Sequence, residues 1–157
     1  MSEAAQTSNL ITVESYQLPA DRYYHPDHVW VLKETEDTVR IGFDVLGQET
    51  IGTIVHLELP AVGTSVQAGG PLGSIEAAKY VGSVSSPVSG VVTEVNEEAL
   101  RNPSLVNSDP FGQGWLLALR SGKLDDELAG LITGAEDLRS WFAAKVKEYR
   151  LKGVLAE

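Results

Sequence analysis

The sequence contains no cysteine. A disulfide framework, a thiolate nucleophile and a thiolate metal site are therefore excluded, and any thiol chemistry must come from a cofactor. No apolar run approaches the length of a membrane span, and the opening residues have neither the basic nor the apolar region of a secretion signal. These absences predict a soluble, cytoplasmic protein without a membrane partner.

Positive charge is also scarce. Lysine and arginine together number 12, against 22 aspartates and glutamates, so the formal net charge is −10. A field of this sign disfavours binding to nucleic acid or to anionic lipid. We expect no nucleic-acid partner, and protein partners that are guided by charge should present basic faces.

The patterning predicts a mainly β fold. Between residues 29 and 120, short apolar or alternating segments are separated by recurrent glycines and prolines, which is typical of a small β-sandwich or barrel-sandwich hybrid. Short helices are predicted near 44–50 and near 96–101, where Asn96 can cap the second, and C-terminal helices near 124–150. We predict a flexible tail over 1–20, a β domain over 21–122, and a helical extension over 123–157 that packs on the same domain.

The usual catalytic and metal motifs are weak or fail. His25, Asp27 and His28 form only a loose group on an irregular segment, for which solvent-facing or capping histidines are the commoner explanation. Gly112 and Gly114 precede a predicted strand and lack the third glycine of a dinucleotide-binding fingerprint. No serine lies in a Gly-x-Ser-x-Gly turn. We predict no metal site and no catalytic side chain, so the protein is not expected to be an enzyme.

One stretch contradicts the β pattern. Residues 74–83 read SIEAAKYVGS, and their central Glu-Ala-Ala-Lys consists of strong helix formers. Two interpretations compete: a solvated turn of helix, or a tight bend that displays Lys79 for chemistry.

The order of several short motifs favours the second interpretation. Across residues 24 to 120 the chain resembles the H-protein family, the lipoyl carriers of the glycine cleavage system. The matching pieces, in chain order, are YHPDHVW (24–30), IGF and LGQETIG (41–43 and 46–52), LELPAVG (57–63), GSIEAAK (73–79), SPVSG (86–90), NPSLVN (102–107) and PFGQGW (110–115).

The resemblance implies that Lys79 carries a lipoyl group in amide linkage at the tip of a β-hairpin. It also implies that Glu76 is the carboxylate recognised by the enzyme that attaches the group. Biotin carriers share the architecture, but they typically flank the lysine with methionines, whereas Ala78 and Tyr80 flank it here. Amide formation would remove one positive charge and give a cysteine-free protein a dithiolane.

The sequence departs from glycine carriers at the cleft in which the resemblance places the arm. Three positions that bear two carboxylates and an imidazole in those carriers match Val29, Thr50 and Ser83, and Tyr80 is expected close by. A buried ammonium cargo needs an anionic or acceptor-rich surround. We therefore interpret the chain as resembling the H-like lipoate-binding proteins of the bacterial heterodisulfide-reductase-like system, which carry sulfur-bound intermediates.

The resemblance also implies partners. A lipoate-protein ligase or lipoyl-transfer enzyme would modify Lys79, and a heterodisulfide-reductase-like complex would use the arm. The alternative is an aminomethyl carrier that serves glycine decarboxylase, aminomethyltransferase and dihydrolipoyl dehydrogenase. A further alternative is an unmodified scaffold that keeps the carrier fold.

Overall fold

The computed structural model describes residues 10–155, which form a mainly β architecture with several short helices and one long one. The strands in this part of the chain are β1 (Leu10–Val13), β2 (Tyr16–Pro19), β3 (Tyr23–His25), β4 (Val29–Lys33), β5 (Thr38–Phe43), β6 (Ile54–Glu58), β7 (Ser65–Val66), β8 (Pro71–Ala77), β9 (Tyr80–Ser85), β10 (Gly90–Val95) and β11 (Leu117–Arg120). The helices are α1 (Val45–Ile51), α2 (Glu97–Arg101), α3 (Leu105–Ser108), α4 (Leu124–Leu128) and α5 (Ala135–Lys152). The predicted fold class and its predicted helices are confirmed, and α3 is an addition to them.

The strands form three antiparallel sheets. One sheet has six strands in the order β3-β4-β5-β11-β10-β7, a second has three in the order β6-β8-β9, and β1 pairs with β2. An antiparallel sheet can pack one face on a core while the other meets water. The three-stranded sheet does this: it faces the six-stranded sheet across a shared interior, whereas the outer face of the six-stranded sheet is covered in part by a second core at Tyr24 and Trp30.

That interior is the first core. It combines side chains of both sheets, such as Ile41 and Leu117 with Leu57 and Ile75, and it also takes in Leu124 and Leu128 of α4. These leucines and isoleucines expose at most 4% of their surface. The first core therefore joins the two sheets into one sandwich and fixes the three-stranded sheet that carries residues 74–83.

A second core lies beside the first. It combines the β1–β2 hairpin with α5 and with Tyr24, Trp30 and Leu46. The buried side chains of α5 recur four residues apart, at Leu138, Phe142 and Val146, as the helical stripe in the sequence predicts. Gly153, at φ 76°, ends the helix in the left-handed conformation that glycine adopts without strain.

The prediction of an unpacked tail over 1–20 is wrong for residues 10–19. Ile11, Val13 and Leu18 are buried, because the hairpin lies against α5 from the opposite end of the chain. Two strands of four residues give too little alternation to be recognised without that partner. The rest of the predicted tail before Leu10 lies outside the described residues.

Within residues 10–155, no helix is long and apolar enough to cross a membrane.

Candidate functional site

The stretch 74–83 is a hairpin with a two-residue loop. β8 ends at Ala77, β9 begins at Tyr80 directly opposite it, and Ala78 and Lys79 form the connection. The side chain of Lys79 is exposed, and no side chain in the described part of the chain makes a hydrogen bond or ion pair with it. Strand pairing on both sides therefore overrides the helix propensity of Glu-Ala-Ala-Lys, and the lysine is presented at a tip.

The loop is held by the segment that follows α1. The amide of Ala78 donates to the carbonyl of Thr53 at 3.0 Å, and the amide of Lys79 donates to that of Ile51 at 2.8 Å. Between these two carbonyls lies Gly52, at φ 83°. A Cβ there would lie 3.1 Å from the Cβ of Ala78. Glycine at this position thus permits both the backbone conformation and the close approach of the loop.

Asn107 holds that segment in turn. Its side-chain amide donates to the carbonyl of Gly52 at 2.9 Å and to the side chain of Gln48 at 3.0 Å, while its oxygen accepts from the amide of Ile54 at 2.9 Å. The side chain of Asn107 therefore bonds the backbone at Gly52 and Ile54, on either side of Thr53, and so holds the segment that serves as the platform under Lys79. The sequence motif NPSLVN contains Asn107, but nothing in its spacing indicates which segment the side chain would bind.

A cleft of about 260 Å³ lies beside the hairpin. Its lining contains all four residues that the sequence analysis assigned to a cleft: Val29, Thr50, Tyr80 and Ser83. The remaining lining residues are Asp27, His28, Phe43, Gly47, Ile51, Val84 and Ser85. Glu76 is not among the lining residues, because it lies on the outer face of the three-stranded sheet opposite Val81.

The lining is mostly apolar, with hydroxyl groups between the apolar walls. The Thr50 hydroxyl donates to the carbonyl of Gly47 at 3.1 Å, and the Tyr80 hydroxyl donates to the carbonyl of Ser83 at 3.0 Å. The tyrosine ring lies against Gly82, where a Cβ would come within 2.8 Å of the ring. Among the lining residues Asp27 alone has a carboxylate, and sequence reasoning did not assign it to the cleft.

One lining residue of the cleft, His28, belongs to a partly buried series of hydrogen-bonded side chains. Nδ1 of His28 lies 2.9 Å from a carboxylate oxygen of Asp44, and its Nε2 lies 2.7 Å from the hydroxyl of Tyr149. The other carboxylate oxygen of Asp44 caps α1 by accepting from the amide of Gly47 at 2.8 Å. Burial raises the pKa of Tyr149. A helix from the end of the chain is thereby bonded to the wall of the cleft.

Only part of this series of hydrogen-bonded side chains could be predicted from the sequence. An aspartate just before a helix is a recognisable N-cap, so Asp44 carried a signal. No sequence signal identified Tyr149 as a partner of His28, apart from its place in the apolar stripe of α5, because the two residues lie 121 positions apart. His28 adopts φ 71°, which the sequence did not indicate.

The histidines of the weak metal motif point to different partners. Nδ1 of His25 accepts from the amide of Asp27 at 3.0 Å, whereas His28 is occupied by Asp44 and Tyr149. Within residues 10–155, no three or more histidine, aspartate or glutamate side chains are grouped so that they could hold a metal ion.

Fold and site together define a class: a β domain that displays one lysine on a tight hairpin beside a small cleft, in the manner of carriers with a covalently attached cofactor. The Glycine cleavage H-protein family matches residues 22–142. A glycine cleavage system H protein of Mycolicibacterium smegmatis is 43% identical over 118 residues, which cover 74% of this chain and 90% of that protein. One from Mycobacterium leprae is 41% identical over 118 residues, covering 73% and 89%.

A solved structure gives the same result. The crystal structure of a glycine cleavage system H protein from Mycobacterium marinum superposes with a TM-score of 0.68 at 32% identity, and the match covers 78% of this chain and 98% of that one. The chain belongs to the glycine cleavage H-protein family. Members of this family are lipoyl carriers that hold lipoate covalently on a lysine. The narrower resemblance to sulfur-oxidation carriers finds no support in these relatives, which bear the glycine cleavage name.

The site residues suit a lipoyl group. The dithiolane at the end of the arm is small and largely apolar, and the cleft offers apolar walls at Val29, Phe43, Ile51 and Val84. Tyr80, which also lines the cleft, is the next residue after Lys79. Lys79 is therefore one residue away from the lining of the cleft.

Proposed function

We propose that this protein is the aminomethyl carrier of a glycine cleavage system, with a lipoyl group attached to Nζ of Lys79. The observation that supports the proposal is the presentation of Lys79: an exposed lysine, without a side-chain partner among residues 10–155, in a two-residue loop that two backbone hydrogen bonds hold beside the cleft. When bound, the group would supply a disulfide that is reduced as one of its sulfurs takes up the one-carbon unit, that becomes a dithiol when the unit is released, and that is then reoxidised; the protein supplies the platform and the cleft. The relatives that carry the glycine cleavage name favour this cargo over a sulfur-bound one.

The cleft contributes to the choice of cargo. An amine that is shielded from water is stabilised by a nearby carboxylate or by hydroxyl acceptors. Asp27 at the cleft offers the carboxylate, and Thr50, Ser83 and Ser85 offer hydroxyl groups. These groups can take the place of the charged residues that the resemblance expects at positions 29, 50 and 83.

Attachment is tested by intact mass spectrometry of protein purified from its own host. We expect a lipoyl increment that disappears in Lys79→Arg and persists in Lys123→Arg, which replaces another exposed lysine in a connecting segment. Both variants should fold like the wild type, since an exposed bend accommodates either cation. An increment that persists in Lys79→Arg would show that another lysine is used. Host protein without any increment would support the unmodified scaffold.

A second candidate is a carrier of sulfur-bound intermediates for a heterodisulfide-reductase-like complex. It is favoured by one observation: the three lining residues Val29, Thr50 and Ser83, which the resemblance matches to two carboxylates and an imidazole, bear neither group. An uncharged or anionic cargo would be stabilised there better than an ammonium.

The two cargoes are separated by offering lipoylated protein to each set of partners. For the aminomethyl carrier we expect loading by glycine decarboxylase, turnover by aminomethyltransferase and reoxidation by dihydrolipoyl dehydrogenase. Asp27→Asn should lower loading without changing the extent of lipoylation. Failure of loading, together with reduction or oxidation of the arm by a heterodisulfide-reductase-like complex, would favour the second candidate instead.

A further inference from the structure

The outer face of the three-stranded sheet presents an exposed apolar surface next to Lys79. Val81 of β9 exposes 77% of its surface and pairs directly with Glu76 of β8. On the other side of β8, Glu76 pairs with His56, and the register shift between Ile54 and His56 leaves Val55 as an unpaired bulge residue next to that pair. Val55 exposes 62% of its surface. Glu76 thus lies between its cross-strand partners Val81 and His56, which share its face of the sheet, and the exposed Val55 follows next to His56.

The carboxylate at the centre of this surface has no partner within the described residues. The nearby Glu58 is different: its two carboxylate oxygens lie 3.2 Å from Nε2 of His56 and 3.4 Å from the hydroxyl of Ser74. An exposed carboxylate without an internal partner contributes little to folding. Glu76 is thus available to a cation from another molecule, and the valines beside it can bury apolar area around that contact.

We propose that Val55, Glu76 and Val81 form the docking surface for the enzyme that attaches the lipoyl group to Lys79. The proposal rests on the function proposed above and extends it, since the resemblance assigned only Glu76 to this recognition. The partner surface should present a lysine or arginine surrounded by apolar side chains. The net charge of −10 favours a basic partner of this kind.

The position of the surface favours the attaching enzyme over the enzymes that later use the arm. An attaching enzyme has to bring its active site to Nζ of Lys79 itself, so it must contact residues next to the two-residue loop. An enzyme that uses the arm receives a group at the far end of a long chain and can bind at a greater distance from the lysine. Glu76 is three residues before Lys79 and Val81 is two residues after it.

The valines are tested by kinetics of lipoyl transfer to the unmodified protein by a lipoate-protein ligase. Threonine keeps the shape and strand preference of valine while reducing its apolar surface, so Val55→Thr/Val81→Thr should fold normally. We expect kcat/KM to fall by about tenfold or more, mainly through KM. Val62→Thr is the matched control, because Val62 is 63% exposed but lies in the connection between β6 and β7. It should transfer at the wild-type rate.

The carboxylate is tested with a second matched pair. Glu76→Gln should lower kcat/KM and weaken its dependence on salt, because one charge pair at the interface is lost. Glu58→Gln should do neither. Wild-type kcat/KM in the valine double variant would overturn the proposal, as would a loss equal to that of Val62→Thr.

Two further outcomes are informative. If the variants accept lipoyl groups normally but are then loaded poorly by glycine decarboxylase, the surface belongs to an enzyme that uses the arm, and the proposal is wrong. If the wild-type protein itself gains no lipoyl group on Lys79, the proposed function fails. The docking surface would then be overturned with it, whereas normal lipoylation of both the wild type and the valine variant would overturn the docking surface alone.

Discussion

The two cores of this protein differ in which parts of the chain form them. The first core draws on residues between Val29 and Leu128, whereas the second joins the β1–β2 hairpin to α5 from the opposite end. The family match spans 22–142, so Ile11, Val13 and Leu18, together with Val146 and Leu155, pack outside it. The region that presents Lys79 is thus the part shared with the family, and the second core adds to it from both sides.

One helix connects the two regions. Leu46 of α1 belongs to the second core, while Ile51 at its other end packs against the first and accepts the amide of Lys79. Asp44, the cap of this helix, is linked through His28 to Tyr149. Glu49 of the helix accepts directly from the hydroxyl of Tyr16 at 3.2 Å. The helix α1 therefore gives the second core a direct route to the lysine loop.

The largest effect is expected for Phe142→Ala. Phe142 is fully buried in the second core, and such truncations lower the free energy of unfolding by about 3–5 kcal/mol. Urea denaturation measures the loss, and amide hydrogen exchange should locate it mainly in the β1–β2 hairpin and α5. Leu72→Ala, in the first core, is the matched control and should instead affect β8 and β9. The same exchange pattern in both variants would show that the two cores open as one unit.

Gly52→Ala tests the platform under the lysine. The positive φ and the 3.1 Å approach to Ala78 should together lower the free energy of unfolding by about 1–3 kcal/mol and slow lipoylation of Lys79. Gly63→Ala separates the causes, because Gly63 has φ 96° but nothing within 4 Å of a new Cβ. It should lose stability without slower lipoylation. Normal lipoylation of Gly52→Ala would mean that the loop does not depend on this contact.

Tyr149→Phe tests the connection between the cores. Removal of the hydroxyl that contacts Nε2 of His28 should lower the free energy of unfolding by about 1 kcal/mol. Faster hydrogen exchange is expected at the amides of α1, and the affinity of the cleft for the arm should fall. Tyr16→Phe, which removes the hydroxyl that contacts Glu49, should have the smaller effect because that bond is longer. If both variants lowered the free energy of unfolding equally, the contact between Tyr149 and His28 would contribute no more than the one between Tyr16 and Glu49.

The smallest effect is expected from alkaline pH. Burial raises the pKa values of Tyr16, Tyr24 and Tyr149, which all pack in or against the second core. The unfolded chain releases these protons near pH 10, before the folded chain does, so the free energy of unfolding should fall as pH rises above about 10. Urea midpoints at about pH 8 and about pH 10.5 measure the fall. The double variant Tyr16→Phe/Tyr149→Phe should show a smaller loss of stability between these two pH values. An unchanged loss would show that other groups cause it.

The sequence predicted the sandwich and its helices because those elements carry local signals. Apolar alternation, recurrent turn residues, the cap at Asn96 and the stripe Leu138, Phe142 and Val146 are all readable within a few residues. The β1–β2 hairpin was missed because its short strands gain their stability from a helix more than a hundred residues away. A local sequence pattern gives no information about such a distant packing partner.

The residues of the candidate site, too, were predicted from the sequence only in part. The ordered motifs picked out Lys79 and Glu76. Matching along the chain picked out Val29, Thr50 and Ser83, with Tyr80 expected close by, and all four line one cleft. Asp27, Asn107 and Tyr149 were not assigned, because each acts through a contact with a distant or irregular segment. The exposed valines beside Glu76 were also missed, since a bulge in β6 places Val55 where simple alternation would not.

By itself the sequence determined that a cysteine-free, acidic β protein presents one lysine within an ordered set of carrier motifs. Residue types and their order along the chain are sufficient for that conclusion. Only the tertiary structure decided that the lysine is held by carbonyls of Ile51 and Thr53, and that the wall of its cleft is bonded to the last helix. The physical reason is that helix propensity acts within a few residues, whereas strand pairing, backbone hydrogen bonds and burial depend on which distant segments the fold brings together.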